Sequence, residues 1–303
     1  MARKKGKALD GIVLLDKPLE LSSNQALQKV KRLFDARKAG HTGSLDPMAT
    51  GLLPICFGWA TKVSAFLLES DKTYRVIGRL GEITPTADTE SEVVERRSIE
   101  GIEQEDIESV LKRFRGEVDQ IPPMHSAVKK GGRKLYELAR EGVEVEREAR
   151  RITFHEIELE SVEGADVQLR VHSSKGAYIR TLIEDLGKEL GCGAHVVSLR
   201  RIGLAPFEEP RMYTLEELEG LKEEGQAALE NVILPPDSAL VGFPAVELDP
   251  DSAHYLTNGQ AVFIPRVTAE GWVRLYGEGD LFLGMGEVLD DGRVAPRRLL
   301  STA

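Results

Sequence analysis

Cysteines and long apolar runs are scarce in this sequence, and each shortage excludes a class of protein. The only two cysteines, Cys56 and Cys192, lie far apart, which indicates neither a disulfide framework nor a zinc site. No stretch reaches the ~18 to 20 consecutive apolar residues that a membrane helix needs. The basic residues 1–7 run into a short apolar segment at 12–15, without the core of a signal peptide. We therefore expect a cytoplasmic protein with no membrane contact and no structural metal.

The chain also has no overall excess of positive charge, because its formal net charge at pH 7 is −10. Such a balance by itself disfavours a nucleic-acid ligand. Two acidic runs account for it: residues 88–109 hold nine acids against two bases, and residues 208–231 hold eight against two. We interpret both runs as solvated helix faces. They carry −13 together, so the rest of the chain carries +3 and leaves room for a basic binding face.

The apolar pattern favours an α+β fold. Period-2 or continuous apolar runs predict strands, and apolar positions three and four residues apart predict helices. The strands are expected at 11–18, 52–57, 74–80 and 152–159, and the helices behind the N-cap candidates at 22–24 (ending near residue 40), at 102–115 and at 178–190. Strict alternation of strand and helix is absent, which argues against a parallel α/β sheet.

The C-terminal part has a different pattern. An acidic helix at 214–230 is followed by a proline-containing segment at 234–237, which reads as a linker. The last ~60 residues hold short apolar runs bounded by Gly, Asp or Asn, typical of a small β-barrel or sandwich. The expected strands lie at 259–264, 272–276, 281–284 and 286–288. We expect one domain over residues 1–240 and a second over 241–303.

A basic excursion interrupts the first domain at residues 124–151, with eight bases against five acids. Its tip contains Lys129, Lys130, Arg133 and Lys134, and a helix is expected from 135 to about 140. Composition alone is compatible with an ordinary surface loop or with a hairpin that grips RNA.

The loop that is richest in potential chemistry is GHTGSLDPMATG at residues 40–51. Asp46 precedes a proline, which biases its backbone to extended geometry, and three glycines permit tight turns or close approach by a ligand. Taken alone, a Ser-x-Asp-Pro loop is most often turn chemistry, and His41 most often a structural histidine. Spacing does not decide between these readings and a catalytic site.

Six sequence blocks, taken together, resemble the bacterial tRNA pseudouridine-55 synthases of the TruB type. They occur in the family's order and span roughly residues 10–205: GIVLLDKP (11–18), GHTGSLDPMATGLLP (40–54), KTYR (72–75), QIPPMHSA (120–127), KGAYIRTL (175–182) and GAHVVSLRR (193–201). Two positions depart from the family pattern, which usually has glycine where this chain has Glu20 and Ser91. Both departures are expected in turns away from the chemistry.

The resemblance implies a pseudouridine synthase fold, a mixed and largely antiparallel sheet with flanking helices, followed by a small β-rich PUA-like domain. It implies isomerisation of uridine 55 in the T-loop of tRNA to pseudouridine, after the base is flipped out and without cofactor or metal. The expected partner is tRNA, contacted at its T-arm and through the C-terminal domain at its acceptor end. A monomer with no obligate protein partner is expected.

The family match also assigns roles to residues. Asp46 is the catalytic carboxylate, which can attack the anomeric carbon or remove a proton from carbon 2′. Arg180 is its ionic partner, and Tyr74 stacks on the uracil with its hydroxyl near carbon 5. The supporting residues are Leu199 as an apolar wall, Tyr178 and Lys17 at the pocket, His41 against the flipped-out region, and Lys129, Lys130, Arg133 and Lys134 on the RNA arm.

Two other functions remain to be weighed. An RNA-binding factor that opens and re-anneals tRNA would share the basic surface but would not need a carboxylate and an arginine in a base pocket. A hydrolase using Asp46, Tyr74 and His41 would lack a nucleophile elbow, a paired acid or a metal cluster. Asp46 is therefore the residue that separates the hypotheses.

Overall fold

The structure, a computed structural model, describes residues 6–126, 128–265 and 267–300. Its strands are β1 (Gly11–Lys17), β2 (Ala39–His41), β3 (Ala49–Phe57), β4 (Lys72–Leu80), β5 (Glu82–Ile83), β6 (Glu95–Arg96), β7 (Gly116–Gln120), β8 (Lys129–Lys130), β9 (Arg133–Lys134), β10 (Arg150–Glu163), β11 (Asp166–Ser173), β12 (Ala194–Leu204), β13 (Ala245–Glu247), β14 (Val262–Phe263), β15 (Gly271–Gly277), β16 (Leu281–Val288) and β17 (Arg293–Leu299).

Helices flank these strands. They are α1 (Ser23–Leu33), α2 (Ser64–Glu69), α3 (Gln104–Phe114), α4 (Leu135–Arg140), α5 (Ile179–Glu189), α6 (Leu215–Glu224), α7 (Gln226–Glu230) and α8 (Pro250–Thr257), with 3₁₀ turns at Gly58–Lys62, Pro236–Leu240 and Glu278–Asp280. Among the described residues, no helix is both long enough and apolar enough to cross a membrane.

The larger sheet carries the first part of the chain. Its strand order is β1-β3-β12-β4-β11-β10-β7, and β2 pairs with residues 55–57 of β3, beyond the residues 49–51 that pair with β12. Every pairing in this sheet is antiparallel except that of β3 with β12, which is parallel. The prediction of a mixed, largely antiparallel sheet with flanking helices is confirmed.

The helix α1 shows how local sequence sets the elements around the loop at 40–51. Ser22 caps its N-terminus in a capping box with Gln25, as the N-cap signal predicts. Its buried face packs Ala26 and Val30 against the core. The helix ends at Leu33, earlier than the sequence predicts, because Asp35 adopts a left-handed backbone with φ of 50°.

The helix α5 lies against the sheet and carries Arg180 on its first turn. Leu182, Ile183 and Leu186 form its buried face. Two glycines permit the close approach: Gly78 on β4 leaves space for the Ile183 side chain, and Gly187 contacts the backbone of β12. Because the backbones are in contact, the position of the helix relative to the sheet is tightly defined.

Two predictions about acidic segments are wrong in part. Within the run at 88–109, Asp88 is fully buried and forms an ion pair, so it does not lie on a solvated helix face. The run at 208–231 contains two helices, α6 and α7, because Gly225 between them has a φ of 134°. The segment expected as a linker, 234–237, is attached to the first sheet at its start. Leu234 exchanges backbone hydrogen bonds of 2.8 and 2.9 Å with Ile12 on β1.

The C-terminal residues form a five-stranded sheet in the order β13-β15-β16-β17-β14. The expected strand at 259–264 shrinks to β14, and the two expected at 281–284 and 286–288 are one strand, β16. Aromatic contacts join this sheet to the larger one: Trp59 packs on Phe282 at 5.4 Å between ring centroids and donates to the carbonyl of Leu299 at 2.6 Å.

Candidate active site

A cavity of about 290 Å³ opens where the 43–46 loop, β4, β12 and the N-terminus of α5 meet. Five residues named from the sequence line it: Asp46, Tyr74, Tyr178, Arg180 and Leu199. They come from four separate segments of the chain, and the parallel pairing of β12 with β3 together with the antiparallel pairing of β12 with β4 brings them together.

The loop that presents Asp46 is fixed on both sides. Buried Ser23 at the start of α1 accepts a hydrogen bond from the Leu45 amide at 2.7 Å and donates to the Leu45 carbonyl at 3.0 Å. The carbonyl of Asp46 accepts from Ala49 at 3.0 Å. These bonds hold the backbone while the carboxylate, 41% exposed, faces the cavity.

Lys17 supports the same loop from beneath. Its side chain is fully buried, and Nζ donates to the carbonyls of Pro18 at 2.8 Å, Leu21 at 2.7 Å and Pro47 at 3.4 Å. Burial lowers the pKa of Lys17 to about 8, and the negative charge of Asp46 opposes that shift. Lys17 therefore anchors the residue after Asp46 and does not line the cavity.

Arg180 lies between two carboxylates. Its Nη2 is 2.9 Å from Asp46 Oδ2 and donates to the carbonyl of His125 at 2.6 Å. Its Nη1 is 3.3 Å from Asp88 Oδ2 and donates to the carbonyl of Thr86 at 3.4 Å. The Arg180 side chain is only 4% exposed, so these contacts with protein atoms set its position relative to Asp46.

Asp88 is the site residue that sequence reasoning missed. Its Oδ2 is buried without a donor in hydrogen-bonding geometry among the described residues, so its contact with Arg180 is electrostatic. A signal existed, because Asp88 lies only three residues before Ser91, one of the two departures from the family pattern, but its place in an acidic run suggested exposure to solvent. Burial at this position is a tertiary property that a charge count does not contain.

The pKa of Asp46 is raised by burial, and the Arg180 guanidinium opposes that shift. Asp88 adds to the upward shift because it repels a second negative charge. One arginine thus offsets two carboxylates. The net shift is upward, so burial together with Asp88 outweighs the opposing Arg180 cation.

Tyr74 and Leu199 line the same cavity, with exposures of 9% and 7%. Behind Tyr74 lies Arg201, almost fully buried, which donates to the carbonyls of Leu52 at 2.7 Å and Gly43 at 3.0 Å. Burial lowers the pKa of Arg201, and Tyr74 beside it opposes that shift. A fixed cation therefore lies next to the phenol of Tyr74.

Tyr178 is held through its backbone at the start of α5. Gln120, buried at the end of β7, accepts from the Tyr178 amide at 2.7 Å and donates to the Tyr178 carbonyl at 3.0 Å. Burial raises the pKa of the Tyr178 phenol, which favours its neutral form. The cavity thus receives one aromatic ring from each side, Tyr74 and Tyr178.

His41 and the basic tip lie outside the cavity. His41 is half-buried on β2, and burial lowers its pKa, with Arg201 acting in the same direction. The basic tip is a two-stranded hairpin in which β8 pairs with β9, followed by α4 as predicted. All four basic residues are on this hairpin, where Arg133 pairs with Glu141 at 2.5 Å.

The two departures from the family pattern lie nearer the site than the sequence predicts. Glu20 adopts a φ of 67° and donates its amide to the carbonyl of Pro47 at 2.9 Å. Ser91 is 2.7 Å from the hydroxyl of Thr86, which donates to Asp88 at 2.6 Å. Their placement in turns away from the chemistry is wrong, because both turns fold back onto the carboxylate loops.

Comparison with known proteins gives consistent matches along the chain. Residues 31–179 match the TruB family pseudouridylate synthase N-terminal domain, 180–241 the tRNA pseudouridylate synthase B C-terminal domain, and 244–300 the pseudouridine synthase II TruB C-terminal domain. The protein named tRNA pseudouridine synthase B from Vibrio cholerae is 51% identical over 306 residues, covering 98% of each chain. Its counterpart from Yersinia pestis is 52% identical, covering 98% of this chain and 94% of the relative.

Solved structures show the same fold. A chain in the crystal structure of a Cbf5-Nop10-Gar1 complex matches with a TM-score of 0.75 at 27% identity, covering 95% of this chain and 84% of that one. A chain in an H/ACA RNP bound to a substrate RNA containing 2′-deoxyuridine matches with a TM-score of 0.73 at 24% identity, covering 99% and 90%. With relatives at this identity over nearly its whole length, the chain belongs to the TruB family of pseudouridylate synthases.

Proposed function

We propose that the protein isomerises uridine 55 in the T-loop of tRNA to pseudouridine. The observation that carries this proposal is the Asp46–Arg180 ion pair of 2.9 Å at the wall of a cavity that also receives Tyr74. Relatives named tRNA pseudouridine synthase B support tRNA as the substrate class. The T-loop position follows from the family resemblance of the sequence blocks.

The reaction breaks the N-glycosidic bond, rotates the uracil and rejoins it to the ribose through carbon 5. Asp46 supplies the anion next to the sugar, either by attacking the anomeric carbon or by taking a proton from carbon 2′. Arg180 keeps that carboxylate charged when the base excludes water, since a charge-assisted bond at this distance favours the anion. Either route requires an ionised carboxylate beside the sugar.

Tyr74 and Leu199 act on the base rather than on the sugar. The Tyr74 ring offers a stacking face and Leu199 an apolar contact, both fixed by strand pairing. As carbon 5 releases its proton, the Tyr74 hydroxyl can accept it and pass its own proton to solvent, so that Tyr74 ends as a neutral phenol beside the fixed Arg201 cation. No metal or cofactor enters any of these steps.

A uracil stacked within the T-loop must first be extruded, at a cost of a few kcal/mol. We assign His41 to the region that the flipped-out base leaves, and the hairpin residues Lys129, Lys130, Arg133 and Lys134 to the RNA arm. A second cavity of about 770 Å³ is lined by residues of the N-terminal part of the chain together with Leu300, and its lining includes the basic Lys7, Arg37, Lys38 and Lys62. We assign this basic groove to RNA phosphates, with residues 1–240 as the catalytic domain and 241–303 as an RNA-binding domain.

The assay uses tRNA transcript carrying tritium at carbon 5 of uridine, because the new carbon–carbon bond releases that tritium to water. Wild type should release it stoichiometrically from the T-loop, and Asp46→Asn should release none. Asp251→Asn, an exposed aspartate on α8, is the matched control and should behave as wild type. Tight tRNA binding by wild type without release would overturn the proposal and favour an RNA-folding factor.

The RNA path is tested separately by salt. Each phosphate contact contributes about 0.7 to 0.9 to the slope of log affinity against log salt concentration. Replacing both Arg37 and Lys38 with glutamine should flatten that slope while leaving single-turnover release at saturating enzyme intact. An unchanged slope would remove the groove from the RNA path without affecting the assignment of Asp46.

A further inference from the structure

The loop behind Arg180 contains a chain of hydroxyl groups that the reaction chemistry does not use. Thr86 Oγ1 is 2.6 Å from Asp88 Oδ1 and 2.7 Å from Ser91 Oγ. We propose that Thr86 and Ser91 are positioning residues, which hold Asp88 and through it Arg180 against Asp46. This inference rests on the proposed role of Asp46 and extends it to residues that touch neither substrate nor the reacting atoms.

The direction of each hydrogen bond follows from counting protons. An ionised Asp88 carboxylate can only accept, so the single hydroxyl proton of Thr86 is donated to Oδ1. The proton between Thr86 and Ser91 must therefore come from Ser91. Ser91 Oγ in turn accepts the Thr86 amide at 3.1 Å. Thr86 Oγ1 also lies 3.4 Å from the Asp88 carbonyl, but its contact with Oδ1 is much shorter, so this series of hydrogen bonds ends at the carboxylate that faces Arg180.

Asp88 is oriented by this arrangement. Its Oδ1 receives two donors, the Thr86 hydroxyl and the Glu90 amide at 3.0 Å. Its Oδ2 is thereby left toward Nη1 of Arg180, 3.3 Å away. Successive hydroxyl bonds that end on a charge polarise one another, so the far hydroxyl contributes to the near contact.

Thr86 also contacts Arg180 directly, because its carbonyl accepts from Nη1 at 3.4 Å. The next residue, Ala87, has a φ of 57°, a left-handed conformation that residues other than glycine rarely adopt. Such a conformation persists only where surrounding contacts over-determine it. The side-chain bonds of Thr86 are among those contacts, so removing them frees the backbone segment that meets Arg180.

The hydrogen bonds that run from Ser91 through Thr86 to Asp88 depend on a serine at position 91. Glycine, the residue usual in the family at this position, could not supply the hydroxyl. The backbone at Ser91 does not have a positive φ, so glycine is not required by the turn. Ser91→Gly therefore removes the hydrogen bond between Ser91 and Thr86, while glycine can adopt the same backbone conformation in the turn.

The experiment measures single-turnover tritium release, tRNA affinity and the pH profile of the rate for Thr86→Val, Thr86→Ser and Ser91→Gly. Loss of a hydrogen bond to a charged group should lower the rate for Thr86→Val by roughly tenfold to a hundredfold. Loss of a neutral one should lower it about two- to tenfold for Ser91→Gly. Affinity should stay unchanged, and the acid limb of the profile should move to higher pH as Arg180 is held less firmly against Asp46.

Thr86→Ser should recover most of the rate, since it restores the hydroxyl. Thr89→Val is the matched control, because Thr89 is an exposed threonine in the same loop. A wild-type rate in Thr86→Val, or Thr86→Ser as slow as Thr86→Val, would overturn the inference. If Thr86→Val does not fold, Ser91→Gly decides by the same readouts.

Failure of this inference and failure of the proposed function give different results. If wild type releases no tritium, the proposed function is wrong whatever the variants do. If wild type is active and Asp46→Asn is not, while the Thr86 and Ser91 variants keep the wild-type rate and pH profile, only the positioning role is wrong.

Discussion

Two helical glycines should respond to the same substitution with opposite signs. A Cβ added at Gly187 in α5 would lie 2.2 Å from the Ala194 amide nitrogen and 2.3 Å from the Gly193 carbonyl carbon, both backbone atoms next to or within β12. Real Cβ atoms essentially never approach within 3.0 Å. At Gly220 in α6, by contrast, nothing lies within 4 Å of the added atom. The substitution is Gly187→Ala, with Gly220→Ala as its control.

The magnitudes follow from two opposing contributions. Replacing a helical glycine with alanine gains up to about 1 kcal/mol from backbone entropy. At Gly220 this gain is unopposed, so the free energy of unfolding should rise. At Gly187 the helix must move away from β12, and overpacking of this kind costs about 1–3 kcal/mol, occasionally more. Because the clash is with backbone, which cannot rotate away, Gly187→Ala should lie at the costly end and be destabilised.

Denaturant unfolding followed by circular dichroism measures both free energies, and the tritium assay measures the consequence for catalysis. Arg180 lies on the first turn of the same helix, and a misplacement of about 1 Å can cost a hundredfold in rate. Gly187→Ala should therefore lose rate as well as stability. A Gly187→Ala protein as stable as Gly220→Ala would refute the packing argument. Lost stability with a wild-type rate would refute the link from the helix to Arg180.

Three further outcomes follow from the structure. Glu20→Gly should raise the free energy of unfolding by up to about 1 kcal/mol, because it relieves a φ of 67°; a loss in urea unfolding would contradict this. The folded pKa of Lys17 is lowered to about 8, so stability from this group should rise with pH between about 8 and 10.5, where the folded chain loses the proton first. The Lys17→Met variant should lack that rise. If the free energy of unfolding changed with pH in the same way in the variant and in wild type, the lowered pKa of Lys17 would be contradicted. Trp59→Phe should lose about 1 kcal/mol and speed hydrogen exchange in β17, because the bond to Leu299 disappears while the ring packing remains; unchanged exchange would show that this bond does not join the sheets.

Much of the fold could be predicted because its signals are local. The buried run of β1, the capping box of α1 and the period of α5 each lie within one short segment. The helix end at Leu33 and the break at Gly225 were missed because single residues with a positive φ decide them. Local signals could not predict which strands pair, because pairing joins segments that are distant in the sequence. Leu199 lies beside Ala49 in the only parallel ladder of the larger sheet among the described residues.

The candidate site came from the resemblance, and not from periodicity or composition. The pattern of the 40–51 loop alone favoured turn chemistry over catalysis until the other blocks were considered. What the blocks could not supply was the part of the site that holds the reacting groups in place. Asp88 lay in a run read as solvated, and its burial depends on Arg180, which is 92 residues later in the sequence.

The departures at Glu20 and Ser91 show why sequence distance from a motif is a poor guide to distance from chemistry. Each lies in a turn that folds back onto a carboxylate loop, so Glu20 bonds to Pro47 and Ser91 reaches Asp88 through Thr86. At Glu20 the bond comes from the backbone, which glycine would also provide, so only strain distinguishes the two residues. At Ser91 the bond comes from the side chain, which glycine lacks. Glu20→Gly should therefore alter the free energy of unfolding, and Ser91→Gly should alter the reaction rate.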